Sequence, residues 1–195
     1  MTEEQYEQLF GEKWKHHTVS VYNREDFEEA FNKKVFSIDK DAIIEIYTSP
    51  KGTPVIPYNI INNHKDNIIA LDFDDFPEDV IFPDSTYTPP HPTITYEQAE
   101  LLVDFIERNV KEDRDFYIHC DAGVSRSQQV AAYIFLTHGW FYNYDENKSS
   151  HPYHLAHTIV VSRLLEVKHR THPDFTNSDN RMIYDKKSER WIEKS

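Results

Sequence analysis

The chain contains a single cysteine, Cys120, and it stands within His119-Cys120-Asp121-Ala122-Gly123-Val124-Ser125-Arg126-Ser127. Five residues separate its thiol from the guanidinium of Arg126. A loop of that length between a strand and a helix can curl back and aim its backbone N–H groups inward, while the following helix adds the positive end of its dipole. Such a loop holds a tetrahedral anion. Gly123 supplies the position that needs positive φ, and Arg126 can meet two anion oxygens with a planar fork that a lysine cannot match. A thiol at the mouth of this nest feels the same dipole and guanidinium charge. These bring cysteine from a pKa of about 8.5 toward roughly 3.5–7.5, so Cys120 is expected to be a thiolate nucleophile at neutral pH. Ser127 is spaced to donate to that sulfur and ease its departure, and His119 to fix the loop from behind. A lone cysteine is ordinarily an inert core residue. The complete pattern between a strand and a helix reverses that reading here.

The flanking elements follow from residue pattern. Phe116-Tyr117-Ile118 reads as the strand before the loop; after it Val130, Ala131, Ile134 and Phe135 continue a helix that Gly139 ends at C′. Upstream, Thr18 to Tyr22 alternates as a strand, and Asn23 caps a helix with Phe27, Ala30 and Phe31 on one face. Ala42 to Tyr47 and Ile68 to Phe73 read as buried strands, the first closed by the turn cluster Ser49-Pro50-Lys51-Gly52. Five prolines in residues 76–92 forbid a long helix and mark a surface loop. Thr95 with Gln98 is a capping-box signature, opening a helix with Ala99, Leu102, Val103, Ile106 and Val110 on its apolar face. A last helix is expected from about Pro152 to about Lys168, with Ile159, Val160, Leu164 and Val167 inward. Strands alternating with helices predict an α/β domain with a mainly parallel sheet of about four to five strands, flanked by helices. The domain is expected over residues 17–170, between a charged extension (1–16) and a C-terminal tail (171–195).

Composition narrows the partners. Among 195 residues, 38% are hydrophobic and 14% aromatic, enough for one packed core. The formal charge of -13 repels polyanions at long range and argues against nucleic acid and anionic lipid. A single cysteine excludes an internal disulfide, a C-x-x-C pair and a multi-cysteine zinc site, and fits a reducing compartment. The first ten residues lack an apolar leader segment, and no run approaches the roughly 18 apolar residues that span a bilayer, so the expectation is a soluble, cytoplasmic protein.

The signature His-Cys, five residues, Arg, Ser resembles that of the protein tyrosine phosphatase superfamily at every fixed position. Its place about two-thirds along a short chain, after a strand and some 45 residues beyond an acidic loop, resembles the compact dual-specificity phosphatases. The resemblance covers roughly residues 18–168. It implies a cysteine-dependent phosphatase acting on phosphotyrosine, or also phosphoserine and phosphothreonine, in proteins or small phosphomonoesters, with no cofactor and no metal. The loop residues Asp121, Ala122, Gly123, Val124, Ser125 and Arg126 would bind the phosphate. Expelling a phenolate of pKa about 10 requires a proton in the transition state. In the resembled family this comes from an aspartate just after the preceding strand, where Leu71-Asp72-Phe73-Asp74-Asp75-Phe76 offers three. Period-two alternation sends Asp75 the same way as Leu71 and Phe73, which favours Asp75 as general acid, with Asp74 the alternative.

Competing readings attach to particular residues. An RNA 5′-end or phosphoinositide phosphatase would favour extra cations in the loop, and Asp121 to Ser125 contain none. A binding-only pseudophosphatase would lack the cysteine, arginine or acid, and all three are present. His151, His154 and His157 share a spacing of three, but the third drifts off the face and no carboxylate completes a metal site. The segment around Pro83 to Pro92 and the aromatic run Trp140 to Tyr144 are candidates for the pocket rim. Substrate identity and oligomeric state are not encoded in any motif.

Overall fold

The computed structural model describes residues 17–48, 52–74, 93–143, 158–171, 182–185 and 190–193. Five strands form one parallel sheet: β1 (Thr18–Tyr22), β2 (Ala42–Tyr47), β3 (Ile68–Asp72), β4 (Phe116–His119) and β5 (Phe141–Asn143), in the order β3-β2-β4-β1-β5. The protein is therefore an α/β fold with a central parallel sheet, as the alternation of elements predicts. The register sets Tyr22 of β1 and Glu45 of β2 beside His119, at the carboxyl end of the central strand. In open parallel sheets that edge is where ligands bind.

Both faces of the sheet are covered. Helices α3 (Tyr96–Lys111), α4 (Arg126–His138) and α5 (Ile159–Thr171) enclose the larger core with Val19, Ile44, Ile46, Leu71, Phe116 and Ile118 from the strands. Helix α1 (Arg24–Asn32) and the short α2 (Tyr58–Asn63) cover the other face, with Phe27, Ala30 and Ile61 packed around Phe36, Ile43, Ile56 and Ile68. Burial on both faces explains why the strands read as nearly continuous apolar runs. Side chains still alternate. Ile44 and Ile46 enter one core and Ile43 the other, and the same alternation in β4 sends Ile118 and Cys120 to the α3–α5 side, while His119 stacks on Phe27 at 4.1 Å.

The helix ends behave as their residues dictate. Asn23 caps α1 by accepting from the Asp26 amide, Thr95 and Gln98 form the full capping box of α3, and Gly139 closes α4 in the left-handed region at φ 69°. Two residues of the aromatic run, Trp140 and Tyr142, depart from the rim role considered for it. Phe141–Asn143 is an edge strand paired with Thr18 to Ser20, and Trp140 and Tyr142 lie in the core, Trp140 edge-on to Phe116 and stacked on His17. Pairing with the edge of β1 makes the segment a strand, and period-two alternation puts Trp140 and Tyr142 on the same, buried face.

Helix α5 extends to Thr171, three residues past the expected end and one into the expected tail. Its expected start at Pro152 lies outside the described residues, as do His151, His154, His157, Tyr144, residues 1–16 and the proline-rich 76–92. Within the tail, β6 (Met182–Asp185) and β7 (Arg190–Glu193) pair as an antiparallel ribbon. Among the described residues no helix is long and apolar enough to cross a membrane, and no group of three or more His, Cys, Asp or Glu is arranged to hold a metal.

Candidate active site

The loop from His119 to Arg126 leaves the central strand and enters α4, so its two ends are fixed by the sheet and the helix. Gly123 has φ 69°, and a Cβ there would lie 2.6 Å from the Asn23 amide nitrogen and 2.8 Å from the Tyr22 carbonyl. The position demands glycine twice over, by conformation and by close approach to the β1–α1 turn. Ser125, at the N-cap of α4, contributes no side-chain hydrogen bond to the first turn, whose amides point along the helix axis toward the loop. Gln128 donates to the Gly123 carbonyl at 2.8 Å and Gln129 to the Ser125 hydroxyl at 3.0 Å, tying the loop to the helix it opens.

Cys120 lies buried at the base of this turn. Its Sγ is 3.1 Å from the Ser127 hydroxyl and accepts from the Gly123 amide at 3.3 Å. A hydroxyl and an amide N–H thus both lie within hydrogen-bond reach of the sulfur. Arg126 is buried too: Nη1 donates to the Thr48 hydroxyl and, at 3.0 Å, to the Phe73 carbonyl, while Nη2 donates to Asp121 Oδ2 at 2.8 Å. Burial by itself disfavours the guanidinium charge. The Asp121 hydrogen bond and the charges of Cys120, Asp121 and Asp74 outweigh it, and the Arg126 pKa is raised.

His119 is anchored by a residue that the sequence did not announce. Glu45, on the neighbouring strand, is wholly buried and accepts from His119 Nε2 at 2.9 Å, from the Val55 amide at 2.6 Å and from the Ile56 amide at 3.0 Å. A carboxylate inside an apolar strand was the available signal, since such a charge is buried only when paired. Thr48 and Arg24 were missed likewise. Thr48 holds Arg126, and Arg24 reaches the loop from the start of α1, its Nη1 lying 4.0 Å from Asp121 Oδ1.

The structure thus brings together His119, Cys120, Asp121, Gly123, Arg126 and Ser127. It also brings the end of β3 to them: the Phe73 carbonyl contacts Arg126, and Asp74, bridged in parallel to Thr93, is near enough to act on the guanidinium charge. Asp75, the first choice for general acid, lies outside the described residues.

Fold and loop together define an α/β domain with a thiol seated in a strand-to-helix loop at the carboxyl edge of a parallel sheet. No protein-family model matches the chain, and no curated protein matches it. Among solved structures the chain is similar to Tk-PTP in its active form, at 14% identity over 84% of each chain with a TM-score of 0.36. It is also similar to the PTP-2 phosphatase of Cydia pomonella, at 13% identity over 90% of this chain and 92% of that one with a TM-score of 0.40. Overlap at that level leaves the function to the side chains themselves.

Proposed function

We propose that this protein is a cysteine-dependent phosphatase of the protein tyrosine phosphatase type, hydrolysing phosphotyrosine and, as the wider class, phosphoserine and phosphothreonine monoesters. The observation that carries the reading is the seating of Cys120 Sγ between the Ser127 hydroxyl and the Gly123 amide in the loop that Arg126 closes. An inert core cysteine has no use for a hydroxyl and an amide N–H both within hydrogen-bond reach of its sulfur.

The reaction runs in two steps. Cys120, deprotonated, attacks phosphorus in line; the S–P bond forms as the bond to the leaving oxygen breaks, and that oxygen takes a proton from Asp75. Water then attacks the cysteinyl-phosphate, giving its proton to the same carboxylate. The S–P bond breaks, orthophosphate forms, and Ser127 donates to the departing thiolate. Loop amides and Arg126 carry the equatorial charge in both transition states. Asp74 is the alternative proton donor, next in the chain to Phe73, whose carbonyl accepts from Arg126. His119 and Glu45 support the loop and touch no reacting atom.

The test is hydrolysis of a chromogenic aryl phosphate in excess EDTA by the wild type beside Cys120→Ser, Arg126→Ala, Asp75→Asn and Asp74→Asn. The expected result is activity that survives the chelator, vanishes with the serine and alanine changes, and falls by about 100-fold or more with one asparagine change. Wild-type protein that binds phosphotyrosine peptide without turnover would replace this reading with a binding-only function.

A further inference from the structure

The sequence of the loop offers Arg126 as its one cation, yet the fold adds a second guanidinium and sets a carboxylate between the two. Asp121 Oδ2 accepts from Arg126 Nη2 at 2.8 Å, and Oδ1 lies 4.0 Å from Arg24 Nη1. The backbones are locked together, since the Arg24 amide donates to the Asp121 carbonyl at 3.1 Å and the neighbouring Gly123 is in close contact with Tyr22 and Asn23. Arg24 Nη1 is oriented by donating to the Thr53 carbonyl at 2.8 Å. Gly52 borders the gap without filling it; a Cβ there would stand 3.5 Å from Arg24 Nη1 and 3.7 Å from Asp121 Oδ1.

This arrangement conflicts with phosphate binding as it stands. A carboxylate and a phosphate dianion are both acceptors, and Asp121 already holds a nitrogen of the fork that the dianion needs. Arg126 cannot move to resolve the conflict, being buried and held by Thr48 and Phe73. Asp121 can. Its side chain is 42% exposed, and a small rotation would close the 4.0 Å gap to the about 2.8 Å of a charge-assisted bond with Arg24.

We propose that Asp121 is a resident counter-anion for Arg126, and that Arg24 is a positioning residue that takes Asp121 over when a phosphate enters. Asp121 then sets phosphate affinity by competition. Arg24 acts only through Asp121 and does not touch the phosphate. The inference rests on the phosphatase reading of the same loop.

A double-mutant cycle decides it, read as the inhibition constant of orthophosphate against aryl phosphate hydrolysis and as kcat and KM. Asp121→Asn should tighten orthophosphate about tenfold, and Arg24→Ala and Arg24→Gln should weaken it about fivefold, whereas in the Asp121→Asn background either Arg24 change should shift it less than about twofold. Arg24→Lys should restore most of the loss. KM should follow the inhibition constant with kcat little changed, a split that a general loosening of the loop would not produce. Equal weakening in both backgrounds would place Arg24 directly on the phosphate and overturn the proposal. So would an Asp121→Asn protein no tighter than wild type. A wild type that hydrolyses aryl phosphate without this coupling sinks the inference alone; one that neither hydrolyses it nor binds orthophosphate sinks the phosphatase reading with it.

Discussion

Arg126 is held by groups of the protein itself, with one terminal nitrogen on Thr48 and Phe73 and the other on Asp121. A lysine keeps the charge but can satisfy neither the fork nor that double anchor. Arg126→Lys is therefore expected to lower kcat by about 100- to 1,000-fold, the scale for losing an aimed donor to transition-state charge. Steady-state hydrolysis of an aryl phosphate checks it. In the proposed mechanism Ser127 bears on a different step, since its hydroxyl, 3.1 Å from Cys120 Sγ, would serve the sulfur as it leaves phosphorus. Ser127→Ala should slow breakdown of the cysteinyl-phosphate by about 10- to 100-fold, from the roughly 1.5–3 kcal/mol of a hydrogen bond to a charged group. Rapid-mixing kinetics should then show a burst of released phenolate that the wild type lacks.

At the scale of elements, two glycines with the same φ of 69° make a controlled comparison. Gly139 ends α4 away from the site, whereas Gly123 presses the loop against the β1–α1 turn with no room for a Cβ. Gly139→Ala should cost about 1 kcal/mol in urea unfolding and leave phosphate binding unchanged. Gly123→Ala should cost at least as much and also abolish phosphate binding, since relief of the clash must move the loop. Equal effects of the two on binding would show that the loop is not set by its contact with Tyr22 and Asn23. The pairing of β2 with β4 has a comparable local consequence. It places Glu45 beside His119, so that a carboxylate on one strand holds the residue before Cys120 on the next.

The whole molecule is joined behind the sheet by a cluster that takes one side chain from each large helix. Glu107 of α3 lies 2.7 Å from Lys168 of α5 and 3.0 Å from His138 of α4. Burial would raise the Glu107 carboxyl, but the bonds from His138 and Lys168 overcome it and bring its pKa from 4.5 down to about 2. Burial likewise draws the Lys168 ammonium below its usual range, partly offset by Glu107. Because the folded pKa of Glu107 is depressed, its contribution to stability is complete above about pH 4.5 and is lost as pH falls toward 2. Glu107→Gln is expected to lower stability at pH 7 by about 3 kcal/mol, by removing the anion 2.7 Å from the buried Lys168 ammonium, and to flatten the fall in stability between those pH values. Urea titrations of the two proteins across that range provide the measurement.

The sequence by itself determined what depends on neighbours along the chain. The five-residue spacing of Cys120 and Arg126, the need for glycine at 123, the capping box of Thr95 and Gln98 and the α/β alternation were all readable, because periodicity, caps and loop length are local properties. Strand order was not, and with it went every contact between residues far apart in sequence. Arg24, Glu45 and Thr48 meet the loop only because β1 and β2 flank β4, and Trp140 and Tyr142 are buried where their segment pairs with the edge of β1. Residue types show that a carboxylate inside a strand or an aspartate beside an arginine needs a partner. Which group supplies it is decided by the energy of the whole packed sheet, and so by the tertiary structure alone.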